Sequence, residues 1–314
     1  MQISFFDGSQ PLKLNKPIRL IELFAGYGSQ ALALKYLGVQ FEHWRICEWA
    51  IKSIQAYKDL HSGDDKTDYS APMSADEVYA ELIKVGISSD YETAMTAAQV
   101  RRLGEKRARA IYNNIKATNN LVSITNAKSD DFNITETDKY LYVMTYSYPC
   151  QDISNAGLYK GMKKGSGTRS ALLWEVERIL KDLKELPQIL LMENVPGVLS
   201  GRNIGEFAEW LKVLDGLGYK TKWQKLNATD FGVPQNRERL FAVSVLGDYY
   251  FDFPNKKGCN TPLRELLETD VDERYYLKGK VVLSLIEHKK KQEAKGNTFG
   301  WKPQKIGGGG SPNY

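Results

Sequence analysis

A short apolar run, I18-R-L-I-E-L-F24, stops at the glycine turn A-G-Y-G-S. Q-A-L-A-L-K-Y-L-G follows, and then F41-E-H-W-R-I-C47. Each flanking run reads as a strand, the first of them buried. The middle piece carries Ala31, Leu34 and Leu37 on one helical face, with Gly38 as its stop signal. Strand, glycine turn, helix, strand is one βαβ unit. Two parallel strands need such a crossover, so this segment commits the chain to a parallel sheet.

Residues 50–138 interrupt the rhythm. They are long and polar, with predicted helices over Ser74–Val85 and Thr96–Ala117. Ser74-Ala-Asp-Glu has the capping-box pattern. Val78, Leu82 and Ile83 are expected to pack, and the segment reads as an insertion. The α/β alternation then resumes. Y140-L-Y-V-M-T-Y-S is a strand running into Pro149-Cys150. Leu172, Leu173, Val176, Ile179, Leu180 and Leu183 mark a helix over Ser170–Leu183. I189-L-L-M192 is a central strand leading to Glu193-Asn194, and Ile204–Leu217 is a helix stopped by Gly218. Lys220–Leu226 and Leu240–Leu246 are two more strands. This order predicts an α/β fold: a doubly wound, mostly parallel sheet, Rossmann-like, with helices on both faces. Past Asp252 the pattern dissolves into a short helix at R264-E-L-L-E, another beyond Lys278, and a closing G-G-G-G-S-P-N-Y that is linker-like by composition.

Composition excludes several classes. Hydrophobic content of 42% and charged content of 26% over 314 residues fit a soluble globular protein. No apolar run approaches the ~20 residues of a membrane span. M-Q-I-S-F-F-D-G has no basic leader region. Cys47, Cys150 and Cys259 are too few and too scattered for a disulfide framework or a zinc site, so neither metal nor membrane is expected, and a reducing cytoplasm is. The net charge is +5 and the pI is about 8.8. From Lys256 onward, twelve Lys and Arg less seven Asp and Glu equal that whole excess. A mildly basic chain is compatible with nucleic acid.

In open α/β sheets, ligands bind beyond the carboxyl ends of the strands. Four strand ends carry unusual residues. At the first, Phe24-Ala25-Gly26-Tyr27-Gly28, glycines allow a tight turn and close approach to a ligand. At the second stands Glu48, 22 residues past Gly26, where a ribose hydroxyl is commonly held. Together these suggest an adenosine-containing cofactor. The third is Pro149-Cys150, a thiol that needs a coupled proton transfer or nearby positive charge to act; Cys47 and Cys259 read as inert. The fourth is Glu193, a carboxyl closing an apolar run, which must be hydrogen-bonded or hold its proton. Gln235-Asn236-Arg237-Glu238-Arg239 precedes the last strand. Arginines at i and i+2 of a strand share a face and suit anion or carbonyl recognition.

The order F-A-G-x-G, Glu, P-C-Q, E-N-V, Q-x-R-x-R resembles the C5-cytosine DNA methyltransferases of bacteria and phages over about residues 18–250. G161-M-K-K-G-S-G-T-R-S-A-L-L-W-E and the long insertion look most like the mollicute-type CpG enzymes. The resemblance implies methyl transfer from S-adenosylmethionine to C5 of a cytosine flipped out of double-stranded DNA. It makes Cys150 the nucleophile at C6, Glu193 the partner of N3 and the exocyclic amine, Arg239 the partner of O2, and Arg237 a support for the cysteine region. Phe24, Ala25, Gly26, Gly28, Glu48, Trp49, Pro149 and Leu172 would form the cofactor site. Gln151, Ser154, Arg169, Asn194 and Gln235 would face the DNA, with Asn194 orienting its loop and Ser154 and Arg169 meeting phosphates.

The likeness implies a catalytic domain over 1–252, its helical insertion at about 50–138. Residues 253–314 then read as the start of a target-recognition region or as a truncated or engineered tail. Members of the family usually continue with that region and a late G-N-S/A-V motif, of which G296-N-T-F-G-W keeps two letters. The usual adenine-binding aspartate is missing, and Val122-Ser-Ile124 occupies its place. Alternatives are one part of a split enzyme completed by a second polypeptide, a catalytically silent DNA-binding relative, and a tRNA cytosine-5 methyltransferase.

Overall fold

The computed structural model describes residues 10–11, 16–153, 161–259 and 262–296. The chain divides into two compact units, one of residues 1–226 with 239–254, the other of 227–238 with 255–314.

The first unit is built on a six-stranded sheet. Its strands are β2 (Ile18–Leu23), β3 (Phe41–Cys47), β4 (Leu141–Tyr146), β5 (Ile189–Asn194), β6 (Tyr219–Asn227) and β7 (Glu238–Leu246), in the order β3-β2-β4-β5-β7-β6. The pairs β2/β3, β2/β4 and β4/β5 are parallel, and β5/β7 is antiparallel. A separate two-residue ladder joins β1 (Gln10–Pro11) to β8 (Tyr249–Tyr250). Beyond the edge strand, Asn120 makes a one-residue parallel bridge to Ile46. The parallel strands therefore end on one edge, and their last residues feed the loops that carry the candidate chemistry.

Alternation along each strand separates two apolar faces. Tyr142, Met144, Tyr146, Leu190, Met192, Leu240 and Ala242 belong to the main core, with α6 (Leu173–Asp182) and α7 (Ile204–Gly216). Trp210 of α7 is fully buried and donates its indole N–H to the Tyr146 hydroxyl at 3.1 Å. Burial of each such large side chain stabilises the fold by about 1.5–3 kcal/mol. Leu141, Ile189, Val243 and Val245 face the other way. On Glu22 of β2 converge α1 (Ser29–Tyr36) and α2 (Ile51–His61), through the Ala31 N–H and the Tyr57 hydroxyl.

The insertion is helical: α2 is followed by α3 (Ala75–Val85), α4 (Ala97–Arg101) and α5 (Glu105–Ala117). Ser74 and Glu77 form the expected capping box. The single helix expected over Thr96–Ala117 is two, because Gly104 breaks it at φ 75°. Ile51 and Ile54 of α2 join Val78, Leu82, Val100, Ala108 and Ile111 in a separate core. One expectation fails at α1: Leu37 is 76% exposed and caps the helix. A helix of eight residues makes barely two turns, and only Ala31 is buried.

In the second unit, Asn227 Oδ1 accepts the Thr229 and Arg237 N–H groups, and Asp230 pairs with Lys256 at 2.9 Å. Its helix is α8 (Gly279–Glu293), in which no residue is buried. Of the late G296-N-T-F-G-W stretch, only Gly296 lies within the described residues.

Candidate active site

The first loop leaves β2 with Phe24 at φ 57° and Gly26 at φ 57°, a left-handed pair that turns the chain sharply toward α1. Gly28 is required by space as well as conformation. At φ 80°, a side-chain carbon there would lie 2.3 Å from His61 Nε2 and 2.7 Å from Tyr57. Gly26 donates its N–H to Glu48 Oε2 at 2.8 Å, and Ala50 donates to Oε1 at 2.7 Å. Asn120 Oδ1 accepts the Glu48 N–H, and its Nδ2 donates to the Glu48 carbonyl. Burial holds the Glu48 carboxyl above its ordinary range, against these amides. The glycine turn and the carboxylate expected to serve one ligand are thus tied directly to each other.

The loop that bears Cys150 follows β4. Ser147 donates its hydroxyl to Glu193 Oε2 at 2.7 Å, and Arg239 Nε lies 3.1 Å from Glu193 Oε1. The carboxylate at the end of the apolar strand is therefore satisfied by a cation and a hydroxyl. Asn194 donates to the Tyr148 carbonyl at 3.0 Å and accepts the Val195 N–H at 2.8 Å. Ser170 Oγ donates to the Pro149 carbonyl, and Ile153 N–H to the Cys150 carbonyl. Cys150 is half-buried within this scaffold. The loop after β5 presses on it too: a side-chain carbon at Gly197 would meet the Ile153 carbonyl oxygen at 2.4 Å.

Between the two loops lies a cavity of about 340 Å³. Phe24, Glu48, Trp49, Pro149 and Leu172, all expected at a cofactor, line it; Ala25, Gly26 and Gly28, expected there too, form the turn between β2 and α1 and are not among the lining residues. Gln151 and Arg169, expected on the DNA side, also line it. So do Val122, Ser123, Ile124 and Thr125, where the aspartate was missing. Ser147, Tyr91 and Glu92 were not anticipated; Ser147 alone had a signal, its place two residues before the Pro149-Cys150 pair at a strand end.

Asn194, expected to orient its loop, is 2% exposed with its amide committed to the Tyr148 and Val195 backbone. Two placements differ from expectation. Arg169 Nη1 lies 3.0 Å from Glu92 Oε1, and its Nε 3.9 Å from Asp152, so its guanidinium is engaged by carboxylates. Arg237 precedes the strand, which begins at Glu238, so of the two arginines only Arg239 stands in β7. Gln235 and Arg237 are exposed and belong to the second unit; Ser154 falls outside the described residues.

Behind the glycine turn sits a buried proton-bearing network. Tyr57 donates its hydroxyl to Glu22 Oε2 at 2.6 Å, and His43 Nδ1 lies 2.9 Å from the same hydroxyl. Burial pushes Glu22 from 4.5 up to about 7, opposed by its bonds from Tyr57 and Ala31. A raised carboxyl contributes stability that is full below its unfolded pKa and is lost as pH rises through the folded value. Melting temperature should therefore fall from pH 5 to pH 8 through Glu22. The permanently neutral Glu22→Gln should flatten that fall and be more stable at pH 8 by ~2 kcal/mol. Equal pH slopes in thermal melts of the two proteins would contradict this.

Among the described residues, no cluster of His, Cys, Asp and Glu could hold a metal ion, and no helix is long and apolar enough to cross a membrane.

Residues 85–308 match the family described as C-5 cytosine-specific DNA methylase. The type II methyltransferase M2.ScrFI of Lactococcus lactis subsp. cremoris is 37% identical over 270 residues, covering 84% of this chain and 71% of that protein. The orphan methyltransferase M.SssI of Spiroplasma monobiae is 35% identical over 285 residues, covering 88% and 71%. Among solved structures, the Dnmt2 methyltransferase of S. pombe aligns with a TM-score of 0.53 at 17% identity, over 86% of this chain and 66% of that one. That last likeness concerns the fold.

Proposed function

This chain belongs to the C-5 cytosine-specific DNA methylase family, and on that premise we propose that it methylates C5 of a cytosine flipped out of duplex DNA, with S-adenosylmethionine as donor. One observation carries the reading. The cavity abuts the nucleophile loop, since Ser147, Pro149 and Gln151 line it and Ser147 is bonded to Glu193.

The residues present suit the donor. Its adenosine offers hydroxyl donors and an aromatic face. Glu48 keeps acceptor positions beyond the two amides it already serves, and Phe24 and Trp49 give aromatic walls. The cavity of about 340 Å³ falls in the size range of small-molecule sites. When bound, the donor supplies an electrophilic methyl group.

The protein's own part is to make C5 nucleophilic. Cys150 gives its proton to solvent, its thiolate sulfur forms a bond to C6, and the 5,6 electron pair moves to C5, which takes the methyl while the pair of the broken S–CH3 bond stays with the departing thioether. Glu193 takes up a proton as the base docks, donates it to N3 and accepts from the exocyclic amine; as the ring gains electron density the proton passes to N3, and Arg239 binds O2. A base then takes the C5 proton. The released pair restores the 5,6 double bond, and the sulfur leaves C6 with its electrons.

The test is transfer of labelled methyl from S-adenosylmethionine to duplex DNA and, in parallel, to tRNA. Label in DNA cytosine is expected. Label in neither nucleic acid, or in tRNA alone, overturns the proposal.

A further inference from the structure

The helical insertion contributes to the donor cavity at residues 122–125 and at the turn at residues 88–93. This turn is stitched onto the segment that carries Trp49. Ser88 donates its N–H to the Trp49 carbonyl at 2.8 Å, and Ile51 donates to the Ser88 carbonyl at 2.9 Å. These bonds make an isolated parallel bridge between Ala50 and Ser88. Asp90 fixes the turn from within, accepting the Ser88 hydroxyl, the N–H groups of Glu92 and Thr93, and the Thr93 hydroxyl. Its carboxyl is held well below the usual range by the Thr93 and Glu92 amides. Tyr91 sits at φ 66°, with its hydroxyl 3.1 Å from Ser53 Oγ.

The turn therefore presents Tyr91 and Glu92 to the cavity in a fixed pose, and both line it. The side chain of Glu92 is 65% exposed and that of its partner Arg169 is 37% exposed, which places this pair at the solvent rim. Arg169 in turn belongs to the far end of the nucleophile loop. Its N–H bonds Asp152 Oδ2 at 2.8 Å, and Asp152 stands just past Cys150 at the loop's near end. An ion pair between two residues that line the cavity thus joins the insertion to the base of the loop that carries the nucleophile.

We infer that the Glu92–Arg169 ion pair is a clasp on the donor cavity, which must open for the donor to enter and for the demethylated donor to leave. This rests on the donor assignment proposed above. Glu92 acts as a positioning residue, through Arg169. An exposed, solvent-screened pair contributes little, so the effect is a modest change in rate.

The experiment is stopped-flow release of S-adenosylhomocysteine from the intact chain, read by tryptophan fluorescence. In the wild type, release should quicken as salt rises, because salt screens the pair. Glu92→Gln should release about threefold faster at low salt and lose most of the salt dependence. In an Arg169→Gln background, adding Glu92→Gln should change nothing further. Equal release rates for the wild type and Glu92→Gln overturn the clasp, as does an equal acceleration by Glu92→Gln in both backgrounds. Absence of saturable S-adenosylhomocysteine binding by the wild type overturns the donor assignment, and the clasp with it.

Discussion

Replacing Cys150 with serine is expected to lower methyl transfer on the order of 10⁴-fold or more while the protein still binds the donor. The hydroxyl is nearly the same size, so the loop's anchors remain: Asn194 on the Tyr148 carbonyl, Ser170 on the Pro149 carbonyl and Ile153 on the Cys150 carbonyl. What is lost is the only group at this strand end able to add to C6 as a soft nucleophile. Cys47 is the internal control. It also lines the cavity, but it is 2% exposed, and burial beside Glu48 drives its thiol far above the ordinary range. Cys47→Ala should therefore leave a covalent complex with 5-fluorocytosine DNA intact on a denaturing gel, and Cys150→Ser should abolish it. More than one per cent residual turnover in Cys150→Ser, on the order of a hundredfold loss or less, would remove Cys150 from the role.

The second large effect is at Glu193. Glu193→Gln should reduce turnover by about 10²–10⁴-fold with little change in the donor's KM. The carboxylate stands between Arg239 at 3.1 Å and Ser147 at 2.7 Å, so its orientation is set before any base arrives. Glutamine keeps the shape and can still accept from Ser147, but it gives up the charge that faces Arg239. Ser147→Ala separates orientation from charge. It deletes one neutral donor to the carboxylate, and it should cost less than about tenfold. If Ser147→Ala proved as damaging as Glu193→Gln, the charge would not be what matters.

The sequence showed the strand ends well and the cavity walls unevenly. Phe24, Glu48, Cys150 and Glu193 were legible because each closes an apolar run, and the carboxyl ends of parallel strands share one edge of the sheet. Trp49, Pro149 and Leu172 came from the family resemblance, and all three line the cavity. Tyr91 and Glu92 left no trace in the sequence. Their position depends on the bridge between Ser88 and Ala50, a pairing of single residues 38 positions apart with no periodicity to betray it. Helix α2 was hidden for a related reason: its apolar Ile51 and Ile54 pack against the insertion's own core, so the segment reads as polar until its partners are known. Asn194 was assigned to orienting its loop and to the DNA side by the family resemblance alone. The Tyr148 carbonyl and Val195 N–H that consume its amide are tertiary facts.

Gly197 has a consequence for how this site can change over time. The loop after β5 and the loop that bears Cys150 share a boundary there with no room for even one methyl group, since the Ile153 oxygen would stand 2.4 Å from it. The two loops cannot drift apart in sequence independently. Any backbone shift that re-aims Cys150 must be matched by one that re-aims the segment after Glu193. The segment bearing Cys150 and the segment after Glu193 are thereby mechanically coupled at this seam.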